Sequence, residues 1–281
     1  MKNDRRSFLI AAGALCASPL LPAYAKAADL ELQQQGTLRI AVYADFAPYS
    51  ARGKGVDIAL GQALAEKLGL RAEIVEFPAG ENMSDDLRNM VWKGHYLGTR
   101  PGDVMLHVPV DAYFAQQNDK VAIFGPYQLE TMAIARNPER VQQVSGMPSE
   151  ALEVFTREKI GVELDTHSDD YLMHALNGRL RENVVHFHSI AEAVKAMTRG
   201  EVSAVMGPRS ELEAAMKDDK QFRLDTVKIT GMRVNSWTLG LAVKSGSKEL
   251  KAALSEGLAE IQRSGELDRI FTTYGVSHHM P

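Results

Sequence analysis

The hydrophobic positions of this chain follow two alternating periods, and the first clear example spans residues 37–70. The apolar run at residues 38–42 predicts a buried strand, because it is too short for a helix and rich in branched residues. A polar and aromatic loop follows. From Val56 apolar residues recur at helical spacing up to Gly69, which predicts a helix with a glycine cap. In open sheets built from such strand–loop–helix units, small molecules bind outside the carboxyl ends of the strands.

The same alternation continues along the rest of the chain. It predicts further strands at residues 71–77, 103–109, 121–124, 130–136, 159–162, 184–187, 202–206 and 237–243. Helical spacing follows most of these strands, and two helices end the chain. Two successive strand–helix sets joined by extended segments predict two α/β lobes, with the chain crossing between them twice. Residues 277–281, including His278 and His279, are expected to be a frayed and solvated tail.

Residues 1–27 have the composition of a leader rather than of a folded segment. Arg5 and Arg6 begin a twin-arginine pattern, an apolar run follows at residues 8–21, and small residues at Ala23 and Ala25 mark a cleavage site. We therefore expect export to the periplasm without stable membrane insertion. The single cysteine, Cys16, lies within this leader, so the mature chain would lack disulfides, thiolate metal sites and a cysteine nucleophile.

Composition excludes one class of partner. The 281 residues carry a formal net charge of −4, spread along the chain without a basic stripe. Nucleic-acid binding usually requires such a stripe, so we expect no nucleic-acid partner.

A set of short segments in a fixed order carries a family resemblance. These segments are Leu38-Arg39-Ile40-Ala41-Val42, Pro48-Tyr49, Gly55-Val56-Asp57-Ile58-Ala59, Asp103-Val104-Met105, Gly125-Pro126-Tyr127, Ile160-Gly161-Val162, Leu239-Gly240-Leu241-Ala242-Val243 and Gly265-Glu266-Leu267. The chain resembles the family 3 extracytoplasmic solute-binding proteins, the periplasmic receptors of polar amino-acid ABC importers. The resemblance implies a type II-like, two-lobed α/β periplasmic-binding-protein fold with two crossover hinge segments. It also implies a monomer that closes over a solute and hands it to an importer permease.

The resemblance also implies lobe boundaries. Residues 28–130 would form the first part of lobe 1, residues 131–235 lobe 2, and residues 236–281 the return to lobe 1 with the terminal helices.

The chain departs from this family where an amino acid would be held. An Arg that grips the α-carboxylate in the family is missing from residues 110–116. An Asp that holds the α-ammonium is replaced by Gly207-Pro208-Arg209. We therefore predict a small, anionic solute that is not an amino acid, with Arg209 as its cation.

The candidate ligand-binding residues follow the predicted strand ends. They are Asp45, Phe46, Tyr49, His107, Pro109, Asp111, Thr166, His167, Ser168, Arg209 and Trp237. Each also has a structural interpretation: the aromatic residues can plug a lobe edge or fill the core, His107 can be a satisfied buried histidine, and Arg209 can be a solvated charge. His186 and His188 share a strand face, but no acid lies at metal-ligand spacing, so no metal site is predicted.

Two further hypotheses remain open. The segments at residues 92–98 and 103–111 resemble solute-binding-like proteins associated with quinoprotein alcohol dehydrogenases. That resemblance implies pyrroloquinoline quinone as a ligand, or the dehydrogenase as a partner, with no cofactor of the chain's own. The third hypothesis is a dehydratase on the same fold, with Asp45, Asp111 or Asp165 as general acid; we expect a binding protein rather than an enzyme.

Overall fold

The computed structural model describes residues 30–144, 148–217, 219–226, 232 and 234–281. The predicted leader and its twin-arginine pattern lie outside the described residues. No helix within the described part of the chain is long and apolar enough to cross a membrane.

Nine strands and nine α-helices make up the described part of the chain. The strands are β1 (Thr37–Tyr43), β2 (Arg71–Phe77), β3 (Val104–Pro109), β4 (Val121–Arg136), β5 (Ile160–Glu163), β6 (Val184–Phe187), β7 (Ala204–Pro208), β8 (Arg223–Thr226) and β9 (Ser236–Lys244). The helices are α1 (Val56–Lys67), α2 (Met83–Leu87), α3 (Ala112–Gln117), α4 (Pro148–Ala151), α5 (His167–Gly178), α6 (Ile190–Thr198), α7 (Arg209–Met216), α8 (Lys248–Arg263) and α9 (Glu266–Thr273). A π-helical turn, Arg88–Trp92, continues α2.

The strands form one continuous path in the order β2-β1-β3-β9-β4-β7-β5-β6, with β8 paired to β4. Strands β1, β2 and β3 are parallel to one another, and so are β5, β6 and β7. Strand β9 lies antiparallel between β3 and β4. The two parallel groups are the centres of the two lobes of a periplasmic-binding-protein fold, as the sequence predicted. The exact lobe boundaries stay predictions.

Strand β4 joins the two groups. The sequence predicted two extended pieces around a turn, but residues 121–136 form one 16-residue strand. Its first part, up to Thr131, pairs with β9, and its last part, from Met132, pairs with β7. The predicted turn at Gly125 is instead a bulge between Phe124 and Gln128, at which the strand bends without ending.

Both faces of each group are covered, which explains the almost unbroken apolar runs of the parallel strands. On β1, Leu38 and Ile40 face a core shared with α1, α8 and α9. Ala41 and Tyr43 face a second core built on α2 and the π-helical turn. Lobe 2 likewise has two cores, one against α5 and the other against α6.

Strand β9 is flanked by two bulges, one in β3 and one in β4, which lie opposite the same stretch of β9. Strand β3 is bulged between Met105 and Val108, opposite Ala242 and Gly240, and His107 within the bulge has a φ of +63°. The bulge of β4 flanks β9 from the other side. Gly240 permits this crowding, because a Cβ there would lie 2.4 Å from Val110 and 2.5 Å from the Phe124 carbonyl oxygen.

The C-terminal tail is packed against β4, so the prediction of a frayed, solvated end was wrong. The Leu129 amide donates to the His279 carbonyl oxygen at 2.8 Å, and the His279 amide donates to Gln128 Oε1 at 2.9 Å. His278 lies with one ring nitrogen 2.8 Å from the Tyr127 carbonyl oxygen. The partners on β4 are the Tyr127 carbonyl oxygen, the Gln128 side chain and the Leu129 amide, which a sequence pattern does not reveal.

Candidate ligand-binding cleft

Three adjoining cavities meet at Trp237, the second residue of β9. Their volumes are about 330, 630 and 730 Å³, and Trp237 lines all three. The indole packs against the cores of both lobes. Trp237 is paired with Glu130 where β4 passes from one lobe to the other. The cleft therefore lies beside the residues at which β4 passes from one lobe to the other.

The smallest cavity is apolar and aromatic. It is lined by Tyr43, Phe46, Ala79, Met83, His107, Pro109, Trp237 and Leu239. The rings of Phe46 and His107 meet edge to face at 4.8 Å, and those of Tyr43 and Phe46 at 5.9 Å. Walls of this kind suit the flat or apolar part of a small molecule.

The largest cavity is acidic. Besides Phe46 and Trp237, its lining comprises Met132, Glu163, Asp165, Thr166, His167, Ser168, Asp169, Asp170, Met173, His174, Pro208 and Glu211. The third cavity is lined by Pro109, Val110, Asp111, Leu129, His167, Val234, Asn235, Ser236, Trp237 and Thr238. No Lys or Arg occurs among the described residues that line the three cavities. The described lining of the cleft is thus rich in carboxyl groups.

The acidic side chains differ in how far they are already paired. Asp169 is 2.8 Å from a ring nitrogen of His186 and accepts the Asp165 amide at 3.1 Å. Glu163 accepts the Ile190 amide at 3.2 Å, and burial raises the pKa of its carboxyl group. Glu211 makes no hydrogen bond or ion pair with other described residues. Burial, together with the nearby charges of Glu163 and Glu130, raises the pKa of Glu211 well above its usual range.

A hydrogen-bond network ties the first loop to lobe 2 behind the cleft. Tyr49, which is 1% exposed, donates its hydroxyl to Glu130 Oε2 at 2.8 Å. The Ser210 hydroxyl also donates to Glu130 Oε2, and the Thr131 amide donates to Oε1 at 2.9 Å. These donors compensate the burial of a carboxylate that is 1% exposed. The pKa of the Tyr49 hydroxyl is raised well above its usual range, mainly by burial and secondly by the negative charge of Glu130.

A second buried network centres on Asp57, in the first turn of α1. Its side chain is fully buried, Oδ1 accepts the Tyr127 hydroxyl at 2.8 Å, and Oδ2 lies 3.2 Å from His107 Nδ1. The Tyr127 hydroxyl in turn accepts the His107 amide at 3.1 Å. The two bulges beside β9 bring these groups together, and the N-terminus of α1 favours the negative charge. The pKa of the Tyr127 hydroxyl is raised well above its usual range, mainly by burial and secondly by the negative charge of Asp57.

Most predicted residues line the cleft. Phe46, His107, Pro109, Asp111, Thr166, His167, Ser168 and Trp237 all do so. Two of these polar side chains are already committed as helix caps: Asp111 accepts the Phe114 amide at 2.6 Å, and Thr166 accepts the Asp169 amide at 3.3 Å. Tyr49 is buried in the Glu130 network rather than exposed to ligand.

Asp45 and Arg209 are not among the lining residues of these cavities. Asp45 is exposed with a φ of +50°. Arg209 begins α7, where its Nε donates to Glu213 at 2.7 Å and its Nη1 donates to Thr226. The predicted ligand cation is therefore already paired within lobe 2. Glu213 follows Arg209 by four residues, the spacing of an ion pair along a helix. The sequence therefore already indicated that Arg209 could be paired within its own helix.

Sequence reasoning missed several residues of the site. They are Tyr43, Asp57, Met83, Tyr127, Glu130, Glu163, Ser210 and Glu211. The available signal was an acid within an otherwise apolar element, as with Asp57 among the buried positions of α1 and Glu130 within β4. Such acids are buried only where partners compensate them.

Known proteins share this fold at low sequence identity. No family model matches the chain. It is 21% identical over 242 residues to a probable histidine-binding protein of Neisseria gonorrhoeae, which covers 84% of this chain and 82% of that protein. It is also similar to the structure of an ancestral cationic amino acid solute-binding protein, AncCDT-1, with a TM-score of 0.64, 20% identity, and coverage of 85% of this chain and 96% of that one.

Substrate-binding domain 2 of GlnP from Lactococcus lactis, in its open conformation, gives a TM-score of 0.59 at 21% identity, with 87% of this chain and 97% of that chain covered. The fold is thus the two-lobed periplasmic-binding-protein fold.

Proposed function

We propose that the protein is a periplasmic solute-binding receptor that closes its lobes over a small organic solute and delivers it to an ABC importer. The two-lobed fold supports this proposal, as does a cleft that meets at the hinge residue Trp237. The structures that it resembles include a substrate-binding domain and an amino acid solute-binding protein by name. Hinge closure around a ligand is the general mode of action of this architecture.

The charge of the cleft favours a neutral or cationic solute. Five carboxyl groups line the largest cavity, and no Lys or Arg is found among its described lining residues. Because a buried anion needs a cationic or donor partner, an anionic solute would be repelled, contrary to the sequence prediction. The carboxylate of an ordinary amino acid would meet the same difficulty. The aromatic cavity supports a flat or apolar part, and a cation can be stabilised by both rings and carboxylates.

A thermal-shift screen with matched solutes tests the proposal. A ligand at a hundredfold excess over its Kd stabilises the folded state by about 2.7 kcal/mol. We expect amines to raise the melting temperature and carboxylates of the same size to leave it unchanged. Stabilisation by carboxylates alone, including pyrroloquinoline quinone, would contradict the proposed ligand class. That the solute is bound without turnover stays a prediction, which product analysis in the same samples tests.

An exposed turn supports a second candidate, an accessory protein of a periplasmic quinoprotein dehydrogenase. Tyr96 and Leu97 are 85% and 74% exposed. Their turn is held by the His95 amide, which donates to the Thr99 carbonyl oxygen at 2.9 Å, and by the Gly98 amide, which donates to the His95 carbonyl oxygen at 2.9 Å. We propose that these two adjacent side chains form the contact, because exposed apolar surface that lies together marks interaction sites when it is extensive enough.

Recovery of partners from periplasm separates the two candidates. A variant with Tyr96→Ser and Leu97→Ser should lose a dehydrogenase that the wild-type chain retains, while Tyr113→Ser, which changes another exposed tyrosine, should retain it. Recovery of an importer permease alone would contradict the accessory role.

A further inference from the structure

His107, which lines the aromatic cavity, lies beside the buried carboxylate of Asp57. We infer that Asp57 holds the His107 proton on Nδ1, so that the lone pair of Nε2 faces the aromatic cavity and accepts a hydrogen bond from the solute. The inference rests on the proposed function and adds to it a chemical requirement: the solute carries an N–H or O–H donor beside its flat or apolar part.

The hydrogen bonds around Asp57 have defined directions. The Tyr127 hydroxyl accepts the His107 amide at 3.1 Å, and its own proton goes to Asp57 Oδ1 at 2.8 Å. The other carboxylate oxygen lies 3.2 Å from His107 Nδ1. An ionised carboxylate only accepts, so Nδ1 must be the donor. In a neutral imidazole the second nitrogen is then an acceptor.

The His107 ring lies in the wall of the aromatic cavity, and its neighbours hold it in place. His107 lines the apolar cavity with Phe46 and Trp237. Its ring is contacted edge to face by Tyr49 at 4.2 Å and by Phe46 at 4.8 Å, which fixes the plane of the imidazole. Nε2 makes no hydrogen bond within the described part of the chain, although His107 is only 9% exposed.

The backbone of β3 places the His107 ring. His107 has a φ of +63°, which is unfavourable for a residue with a side chain. The bulge of β3 imposes this conformation, and the two contacts of the Tyr127 hydroxyl hold both the His107 amide and Asp57. Strained, over-determined residues of this kind cluster at functional sites. Asp57 and Tyr127 are thus positioning residues that act through His107.

The tautomer can be measured without any solute. Nuclear magnetic resonance of protein labelled with ¹⁵N-histidine, recorded at about pH 8, where imidazoles are ordinarily neutral, identifies the protonated nitrogen of each ring. His107→Gln assigns the resonance. We expect the proton on Nδ1, and Asp57→Asn should shift it towards Nε2 while the exposed His188 stays unchanged. Tyr127→Phe, a milder change, serves if Asp57→Asn does not fold. The inference would be overturned if the wild-type His107 ring carried a proton on Nε2, either in the other neutral tautomer or in the imidazolium form.

The donor requirement needs a second measurement with two matched probes. Benzylammonium and benzyltrimethylammonium share charge and ring, but only the first has N–H donors. Calorimetry should show benzylammonium binding about tenfold more tightly to the wild type, because one hydrogen bond is lost in the quaternary probe. His107→Leu should abolish this preference, and His107→Gln, which keeps an acceptor, should retain part of it.

Equal binding of both probes to the wild type would overturn the donor requirement, and so would binding of neither. The two proposals fail separately. An unexpected tautomer leaves the solute receptor standing, whereas a solute screen without any stabilising compound would count against the receptor and leave the tautomer intact.

Discussion

The Tyr49 hydroxyl lies 2.8 Å from Glu130 Oε2 and joins the first loop of lobe 1 to the strand that passes into lobe 2. Ser210 Oγ, at the start of α7, lies 3.0 Å from the same hydroxyl oxygen, and the Ser210 hydroxyl donates to Glu130 as well. Gly55 makes room for this loop, since a Cβ there would lie 2.1 Å from the Tyr49 carbonyl oxygen. The contact therefore fixes how the lobes approach each other behind the cleft.

Tyr49→Phe should lower the free energy of unfolding by about 1–3 kcal/mol, because it removes one hydrogen bond from a buried carboxylate. Urea denaturation measures this loss. Tyr113→Phe, at a position that is 72% exposed, is the matched control and should change nothing. An unchanged midpoint for Tyr49→Phe would show that the network does not stabilise the fold.

Glu211→Gln should raise stability at neutral pH. The pKa of Glu211 is raised above its ordinary value of 4.5, so the folded state binds its proton more tightly than the unfolded state. The contribution of Glu211 to the free energy of unfolding is therefore fully present below pH 4.5. It is lost as the pH rises through the pKa that Glu211 has in the folded state. Thermal denaturation between about pH 4.5 and neutral pH should show a smaller fall in melting temperature for Glu211→Gln than for the wild type. Glu249→Gln, on the exposed surface of α8, should keep the wild-type decline, and identical curves for Glu211→Gln would contradict the assignment.

Trp237 and Arg209 should differ in their effect on solute binding. Trp237→Leu removes a wall of all three cavities and should weaken binding of an amine probe at least about tenfold. Trp92→Leu, at a 37% exposed tryptophan, is the control. Arg209→Gln should change affinity less than about twofold, because Arg209 is paired with Glu213. A large loss in Arg209→Gln would restore Arg209 as a ligand contact.

Removal of residues 277–281 should destabilise the protein. The deletion leaves the Leu129 amide without its partner and removes the contacts of Ser277 and His278. An unsatisfied buried amide costs about 1–3 kcal/mol, so the midpoint of urea unfolding should fall measurably. Removal of residues 280 and 281 alone should have little effect, because Met280 is 59% exposed. Equal stability of the two truncated forms would contradict a structural role for the tail.

Much of the fold could be predicted from the sequence, because local patterns determine its parallel units. The apolar run of β1 and the helical spacing of α1 depend only on neighbours in the chain, and Gly69 ends that pattern visibly. The course of β4 through Gly125 and the packing of His279 against Leu129 depend on distant residues. The bulge of β4 and the pairing of the C-terminal tail with β4 leave no pattern in the residues next to them in the chain, so the sequence did not predict them.

The position and the chemistry of the candidate site depend on different parts of the sequence. Phe46, His107 and Trp237, which the sequence analysis named as candidates, line the apolar cavity, and their contact with a ligand stays a prediction. The sign of the cleft's charge could not be predicted, because it depends on which side chains are already paired: Arg209 is neutralised by Glu213, while Glu211 faces the cavity without a partner among the described residues.

Native mass spectrometry of the protein isolated from periplasm tests the central claim most directly. A solute held in the cleft would appear as added mass and could be released and identified. We expect a neutral or cationic organic molecule with a flat or apolar part and an N–H or O–H donor, and we expect the Trp237→Leu variant to have lost it. A bound polycarboxylate such as pyrroloquinoline quinone, retained by Trp237→Leu, would contradict this expectation.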